Sequence, residues 1–232
     1  MCWPDRHALG ILTQIRDQFE TKVLIETGSA EGNWIIMYSK IFLGTYGCEI
    51  DKEFHKICRR RISRLKISPE TSHLHSFDCL EMTSPHFIDF MEKRRWTHDV
   101  FMLDAHTPGS WPILEELKAL RGSISCLIVI HDFKVEGEEL GYICYDGQAL
   151  NLPLVEKDLF AVNPDFCLYT NTRETCDIWP REELRVFLGK QYDEYFDKAM
   201  DYVWSKPEKT YRGILYATPE PLCNSMGLRR IC

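Results

Sequence analysis

The chain has 232 residues, 44% of them apolar and 27% charged, with a net charge of -7 and an isoelectric point near 5.6. This length suits one α/β domain with a buried core better than two small domains, and the composition is that of a soluble globular protein. The acidic balance argues against nucleic acid as the main partner, because phosphate binding needs a basic surface.

The elements alternate along the chain. Residues 6–19 read as an amphipathic lead-in helix, 23–26 as a short buried strand, and 28–32 as a Gly-rich turn followed by a helix to about residue 40. A second strand is expected over 45–50, and a basic helix over 52–66. That helix carries Arg59, Arg60, Arg61, Arg64 and Lys66, which read as a solvated face. A weaker third strand is placed at 72–77, a helix at 84–95, a fourth strand at 99–103 and a helix at 111–121. Residues 125–131 (SCLIVIH) form the most apolar strand, as expected at the centre of a parallel sheet. The pattern then loosens into a long loop over 134–150. Strands follow at 166–170 and 212–217, the second as a hairpin partner that closes the sheet, with a helix over 181–204 between them.

Ten cysteines are present, and no pair has C-x-x-C spacing, which argues against a zinc knuckle. The N-terminal residues MCWPDRHALG lack the apolar segment of a secretory signal. No stretch reaches the roughly 18 apolar residues of a membrane span. Free thiols, a cytoplasmic location and no membrane partner are therefore expected.

Two groups of residues carry chemistry. The first is Glu26-Thr27-Gly28-Ser29-Ala30-Glu31-Gly32, a strand end, a turn and a helix start. Such a turn lets backbone approach a ligand closely. Its spacing does not match the dinucleotide pattern G-x-G-x-x-G. A carboxylate two residues before the first glycine would repel a pyrophosphate but suits a ligand with an amino group. The acid Glu49, twenty-one residues after Gly28, stands where a carboxylate can accept ribose hydroxyls, with Asp51 in reserve. Phe77 and Asp78, taken to follow the third strand, offer a ring for stacking and a carboxylate that accepts hydrogen bonds.

The second group is Asp104 and His106 after the fourth strand with His131 and Asp132 after the fifth. Ligands bind beyond the carboxyl ends of strands in an open parallel sheet, so all four should share a crevice with Glu26. The group could hold a divalent cation, supply a histidine general base, or form a structural hydrogen-bond network. Tyr142, Tyr145, Asp146 and Gln148 in the following loop could touch a substrate, and Trp111 could staple its helix.

The first motif resembles the E-x-G-x-G-x-G signature of class I S-adenosylmethionine-dependent methyltransferases, with Ala30 in place of the middle glycine. Asp104 and Asp132 match the acids of metal-dependent small-molecule and sugar O-methyltransferases, whereas His131 stands where an acid is usual. LDAH (103–106), PILEEL (112–117) and HDF (131–133) are similar to a set of uncharacterised bacterial relatives. The resemblance implies a Rossmann-like three-layer sandwich with a mostly parallel, roughly seven-stranded sheet and an antiparallel strand near the C-terminus. It would be a single domain over 1–232, with a core of about 20–217 and a flexible tail at 222–232. S-adenosylmethionine would be held by Glu26, Gly28, Ser29, Ala30, Gly32, Glu49, Phe77, Asp78 and Asp104. Asp104, His106, His131 and Asp132 would do the catalysis on a small-molecule acceptor oxygen. Mg²⁺ or another divalent cation would sit on Asp104, Asp132 and His131. The alternatives are a non-catalytic binding or assembly protein on the same fold, and a metal-dependent enzyme of another class.

Overall fold

The computed structural model describes residues 5–65, 76–93, 99–106, 111–205 and 211–232. Helix α1 (Arg6–Phe19) begins at Asp5, whose carboxylate accepts the N–H groups of His7 and Ala8 and so caps the helix. Five strands then alternate with helices: β1 (Val23–Thr27), α2 (Asn33–Tyr38), β2 (Gly44–Cys48), α3 (Lys52–Ile62), β3 (Ser76–Leu80), α4 (Ser84–Glu92), β4 (Val100–Leu103), α5 (Ile113–Ala119) and β5 (Leu127–His131). The rest comprises the hairpin β6 (Cys144–Tyr145) and β7 (Gln148–Ala149), then α6 (Leu152–Val162), β8 (Cys167–Thr170), α7 (Arg181–Leu188), α8 (Glu194–Ser205), β9 (Ile214–Thr218) and β10 (Arg229–Arg230).

Eight strands form one sheet in the order β10-β8-β9-β5-β4-β1-β2-β3. Strands β1 to β5 pair in parallel, and β9 lies antiparallel between β5 and β8. The central strands are buried on both faces because helices cover both, which explains their continuous apolar runs. Leu24, Val100, Met102, Leu127 and Val129 pack into a core with α1, α2 and α3. Ile25, Phe101, Leu103, Ile128 and Ile130 face the opposite core, with Phe87, Leu117 and Leu159 from α4, α5 and α6. The order of connection reverses between β1 and β4, and this opens a crevice beyond their carboxyl ends. No helix among the described residues is long and apolar enough to cross a membrane.

The sheet has one strand more than the sequence suggests. Residues 222–232, expected as a flexible tail, contribute β10, which pairs antiparallel with β8 at Arg229↔Thr170. The third strand runs over Ser76–Leu80, not 72–77, and residues 72–75 lie outside the described residues. The expected loop over 134–150 contains the β6–β7 hairpin. Helix α6 was not expected; Asn151 caps it by accepting the Leu154 N–H, and Pro153 sits in its first turn. The helix expected over 181–204 breaks at Gly189, whose φ of 57° and ψ of -123° no helix can hold. The described cysteines are free thiols.

The basic run is also not a uniform solvated face. The Arg61 side chain is fully buried. Its guanidinium donates to both Asp193 oxygens at 2.7 and 2.8 Å, to Asn33 Oδ1 at 2.8 Å and to the Glu31 carbonyl at 2.5 Å. It therefore ties the segment leading into α8 to the Gly-rich turn after β1. Arg59 pairs with Asp78, and Lys66 lies outside the described residues. Removing one partner of a buried ion pair strands the other charge, which costs about 3–5 kcal/mol. Asp193 is partly exposed, so the Asp193→Ala variant is expected at the lower end, near 3 kcal/mol by urea unfolding. A loss under about 1 kcal/mol would mark the pair as no stronger than a surface salt bridge.

Candidate active site

The turn after β1 is pulled towards β2, because Gly28 and Ser29 both donate to the Cys48 carbonyl, at 3.1 and 2.9 Å. Gly28 has φ 73°, and a Cβ there would lie 2.7 Å from Ala105 Cα and 2.9 Å from the Asp104 carbonyl oxygen. Both the left-handed backbone and the close approach of β4 therefore require glycine. Gly32 (φ 80°) meets the same two limits against Cys58. Ala30 shares the left-handed region at φ 44°, a conformation that costs a residue with a Cβ about 1 kcal/mol. It is held there by its N–H, which donates to Glu49 Oε2 at 2.8 Å.

Glu49 follows β2 and accepts a second backbone N–H, from Asp51, on Oε1 at 2.8 Å. The carboxylate thus locks the turn to the exit of β2. Asp51 itself caps α3 by accepting from Glu53 and Phe54, so the reserve position is a helix cap. Glu26, at the end of β1, is 1% exposed. Its Oε2 has no hydrogen-bond partner, and it makes no ion pair among the described residues. Burial holds its carboxyl well above the usual range, the charge of Asp104 adds to the effect, and the neighbouring Ser29 hydroxyl partly offsets it.

The two strand tips meet as expected. His131 Nδ1 lies 3.2 Å from Asp104 Oδ1 and 2.9 Å from Asp132 Oδ1. His131 Nδ1 thus stands between carboxylate oxygens of both strand tips. His106 Nε2 is 3.7 Å from Asp132 Oδ2. Asp132 sits at φ 59°, again left-handed without being glycine. Arg212, just before β9, donates to Asp132 Oδ1 at 2.5 Å. Burial alone would raise the Asp132 carboxyl, but His131 and Arg212 outweigh it and hold it well below the usual range. The backbone N–H groups of Asp104 and Ala105 donate to Thr27 Oγ1 at 3.1 and 3.2 Å, which fixes β4's exit to β1.

A cleft of about 410 Å³ opens over these elements. Glu26, Gly28, Ser29, Ala30, Glu49, Asp104 and His106 line it, with Ile50, Phe54, Met82, Thr83 and Ser84 completing the wall. Gly32 sits behind the turn, and the buried His131 and Asp132 stand behind Asp104 and His106. Phe77 and Asp78 do not reach the cleft. They lie within β3 rather than after it, so their side chains leave the middle of an edge strand. Phe77 packs against the core, and Asp78 pairs with Arg59. The residues after the true strand end, Met82 to Ser84, take that wall instead. Trp111 packs edge-on against Tyr145 of the hairpin, with centroids 5.3 Å apart.

Two site residues have no simple signal in the sequence. Glu116 of α5 is buried behind Thr27 and Ser84; burial pushes its carboxyl up to about 7, partly opposed by hydrogen bonds to those hydroxyls. Arg212 comes from a distant loop, and only its place beside the last strand could have drawn notice.

No family model matches the sequence, and no curated protein matches it. Solved structures do. An O-methyltransferase from Bacillus cereus, in complex with S-adenosylhomocysteine, superposes with a TM-score of 0.50 at 15% identity, covering 91% of this chain and 79% of that one. A methyltransferase from Archaeoglobus fulgidus, S-adenosylmethionine-dependent by name, gives a TM-score of 0.45 at 9% identity, covering 90% and 93%. The eight-stranded sheet with its antiparallel β9 and its crevice at the β1–β4 reversal shares the Rossmann-like fold of the Bacillus cereus O-methyltransferase.

Proposed function

We propose that this protein is an S-adenosylmethionine-dependent methyltransferase acting on an oxygen of a small-molecule acceptor. The observation that carries this reading is Glu26, a buried carboxyl that borders the cleft with one oxygen unpartnered. Such a group is costly unless a ligand brings the missing partner. A cationic amino group meets that need, and a phosphate does not. S-adenosylmethionine supplies, when bound, a methyl group on a positively charged sulfur together with an ammonium and a ribose.

Each residue then has a task. Glu26 would face the ammonium. Glu49 uses one lone pair on each oxygen for the backbone, which leaves acceptor capacity for ribose hydroxyls. Gly28, Ser29 and Ala30 would form the floor, and Ile50 and Phe54 offer apolar wall for a base. His106, exposed at the cleft end beside Asp132, would accept the proton of an acceptor hydroxyl. Methyl transfer needs nucleophile, methyl and sulfur in line, so positioning supplies most of the rate. The net charge of -7 supports a small-molecule acceptor over nucleic acid. Asp104, His106 and Asp132 each offer one ligand atom, and these three atoms lie within 4.8 Å of one another. Arg212 already holds Asp132, and the methyl transfer written here does not call on a metal.

Titration calorimetry with S-adenosylmethionine and S-adenosylhomocysteine tests the reading. Binding of both is expected, and the Glu49→Ala variant should bind at least about tenfold more weakly, through about 1.4 kcal/mol of lost ribose contact and turn order. A folded wild type that binds neither would overturn the assignment.

Glu26 also makes a stability prediction. Its folded pKa is raised, so the folded state holds the proton more tightly than the unfolded chain. Stability from this group is present below the ordinary glutamate range and falls as pH rises towards the raised value. The Glu26→Gln variant should therefore melt higher than wild type at neutral pH without ligand, with the gap closing near about pH 4. The same variant should lose S-adenosylmethionine affinity. A variant that melts lower at neutral pH would show that the carboxyl is already satisfied within the protein.

A further inference from the structure

We propose that Arg212 takes the place of a divalent cation at the carboxyl ends of β4 and β5, so that a guanidinium and not a metal holds the Asp104–His131–Asp132 cluster in position. The donor set fits a metal poorly. Asp132 Oδ1 already receives Arg212 Nε at 2.5 Å and faces His131 Nδ1 at 2.9 Å. The ligand atoms that approach one another come from Asp104, His106 and Asp132, and His131 is not one of that set. A Mg²⁺ ion would need its donors near 2.1 Å in octahedral array, and it would have to share Asp132 with a guanidinium of like charge.

Arg212 is built into this place. Its carbonyl accepts from Asn171 Nδ2 at 2.8 Å, and its backbone bridges to Gly141. A Cβ at Gly141 would lie 2.7 Å from the Arg212 Nη1, so the side chain passes where only glycine leaves room. The next residue, Gly213, donates to the Gly141 carbonyl at 3.0 Å and accepts the Phe133 N–H at 2.9 Å. The guanidinium is thereby fixed to both the hairpin segment and the strand tip that bears Asp132. The Arg212 Nε presents a directed donor to Asp132 Oδ1, while Asp132 Oδ2 faces His106. Arg212 is in this sense a positioning residue: it acts through Asp132.

Mn²⁺ uptake provides the test, and it stands apart from the methyltransferase reading because it needs neither cofactor nor acceptor. The full chain, stripped with chelator, is titrated with Mn²⁺ and followed by the paramagnetic resonance of free Mn²⁺ and by thermal melting. Wild type is expected to take up no Mn²⁺ and to show no melting shift. The Arg212→Met variant, which leaves the acids without their cation, is expected to take up one Mn²⁺. Its melting temperature should rise by roughly 5 °C once Mn²⁺ is about a hundredfold above its Kd. Adding Asp132→Asn should abolish that uptake. Should Arg212→Met not fold, Arg212→Gln keeps an N–H donor without the charge and is expected to behave alike. Stoichiometric uptake by wild type would overturn the proposal, as would a folded Arg212 variant that takes up none. A purely structural role for Arg212 would lower stability without creating a cation site.

Discussion

Glu26 is a carboxyl set into a protein interior with no ion pair of its own among the described residues. Its place follows from topology. The parallel sheet reverses its order between β1 and β4, so the end of β1 opens into the crevice while the rest of the strand is covered on both faces. A lone buried carboxyl there weakens the empty protein, and the surrounding architecture keeps it in place. Thr27 next to it holds the exit of β4, and the Gly28 turn passes under that exit with no room for a side chain.

Charge is handled differently at the two ends of the site. Near the Gly-rich turn, Glu26, Glu49 and the buried Glu116 gather, with backbone N–H groups and hydroxyls as the partners seen. At the tips of β4 and β5, Asp104 and Asp132 meet His131 and Arg212. That end is balanced from within. Two residues other than glycine sit in the left-handed region at these points, Ala30 and Asp132, and each is held by a hydrogen bond or ion pair to the site.

Much of this was legible in the residues. Strands β1, β4 and β5 announce themselves because burial on both faces demands continuous apolar runs, and the polar residues at or just beyond their ends, Glu26, Asp104 and His131, then follow by position. The edge strand β3 was misplaced because SFDCL alternates polar and apolar groups at a half-exposed edge, which blurs its ends. That error carried Phe77 and Asp78 into a site they do not reach. Helix α6 carried its signal in Asn151 and Pro153, yet its apolar first turn blends into the preceding loop. Arg61 read as solvated because periodicity cannot show that Asp193 and Asn33 converge on it from elsewhere in the chain. Arg212 was hidden for the same reason: its partner lies 80 residues away.

The central claim is that the Glu26 carboxyl meets the cation of a bound S-adenosyl ligand. Without ligand, burial keeps that carboxyl protonated well above the usual range, and a neighbouring ammonium would favour its ionised form. On this claim, binding releases protons in the pH range between the bound and the free carboxyl's values. The direct measurement is calorimetry of S-adenosylhomocysteine binding over a pH series upward from the ordinary glutamate range, each point in two buffers of different ionisation enthalpy. The expected result is a net release of up to one proton per site, which the Glu26→Gln variant abolishes. Binding with no proton exchange, or with a release that persists in that variant, would contradict the claim.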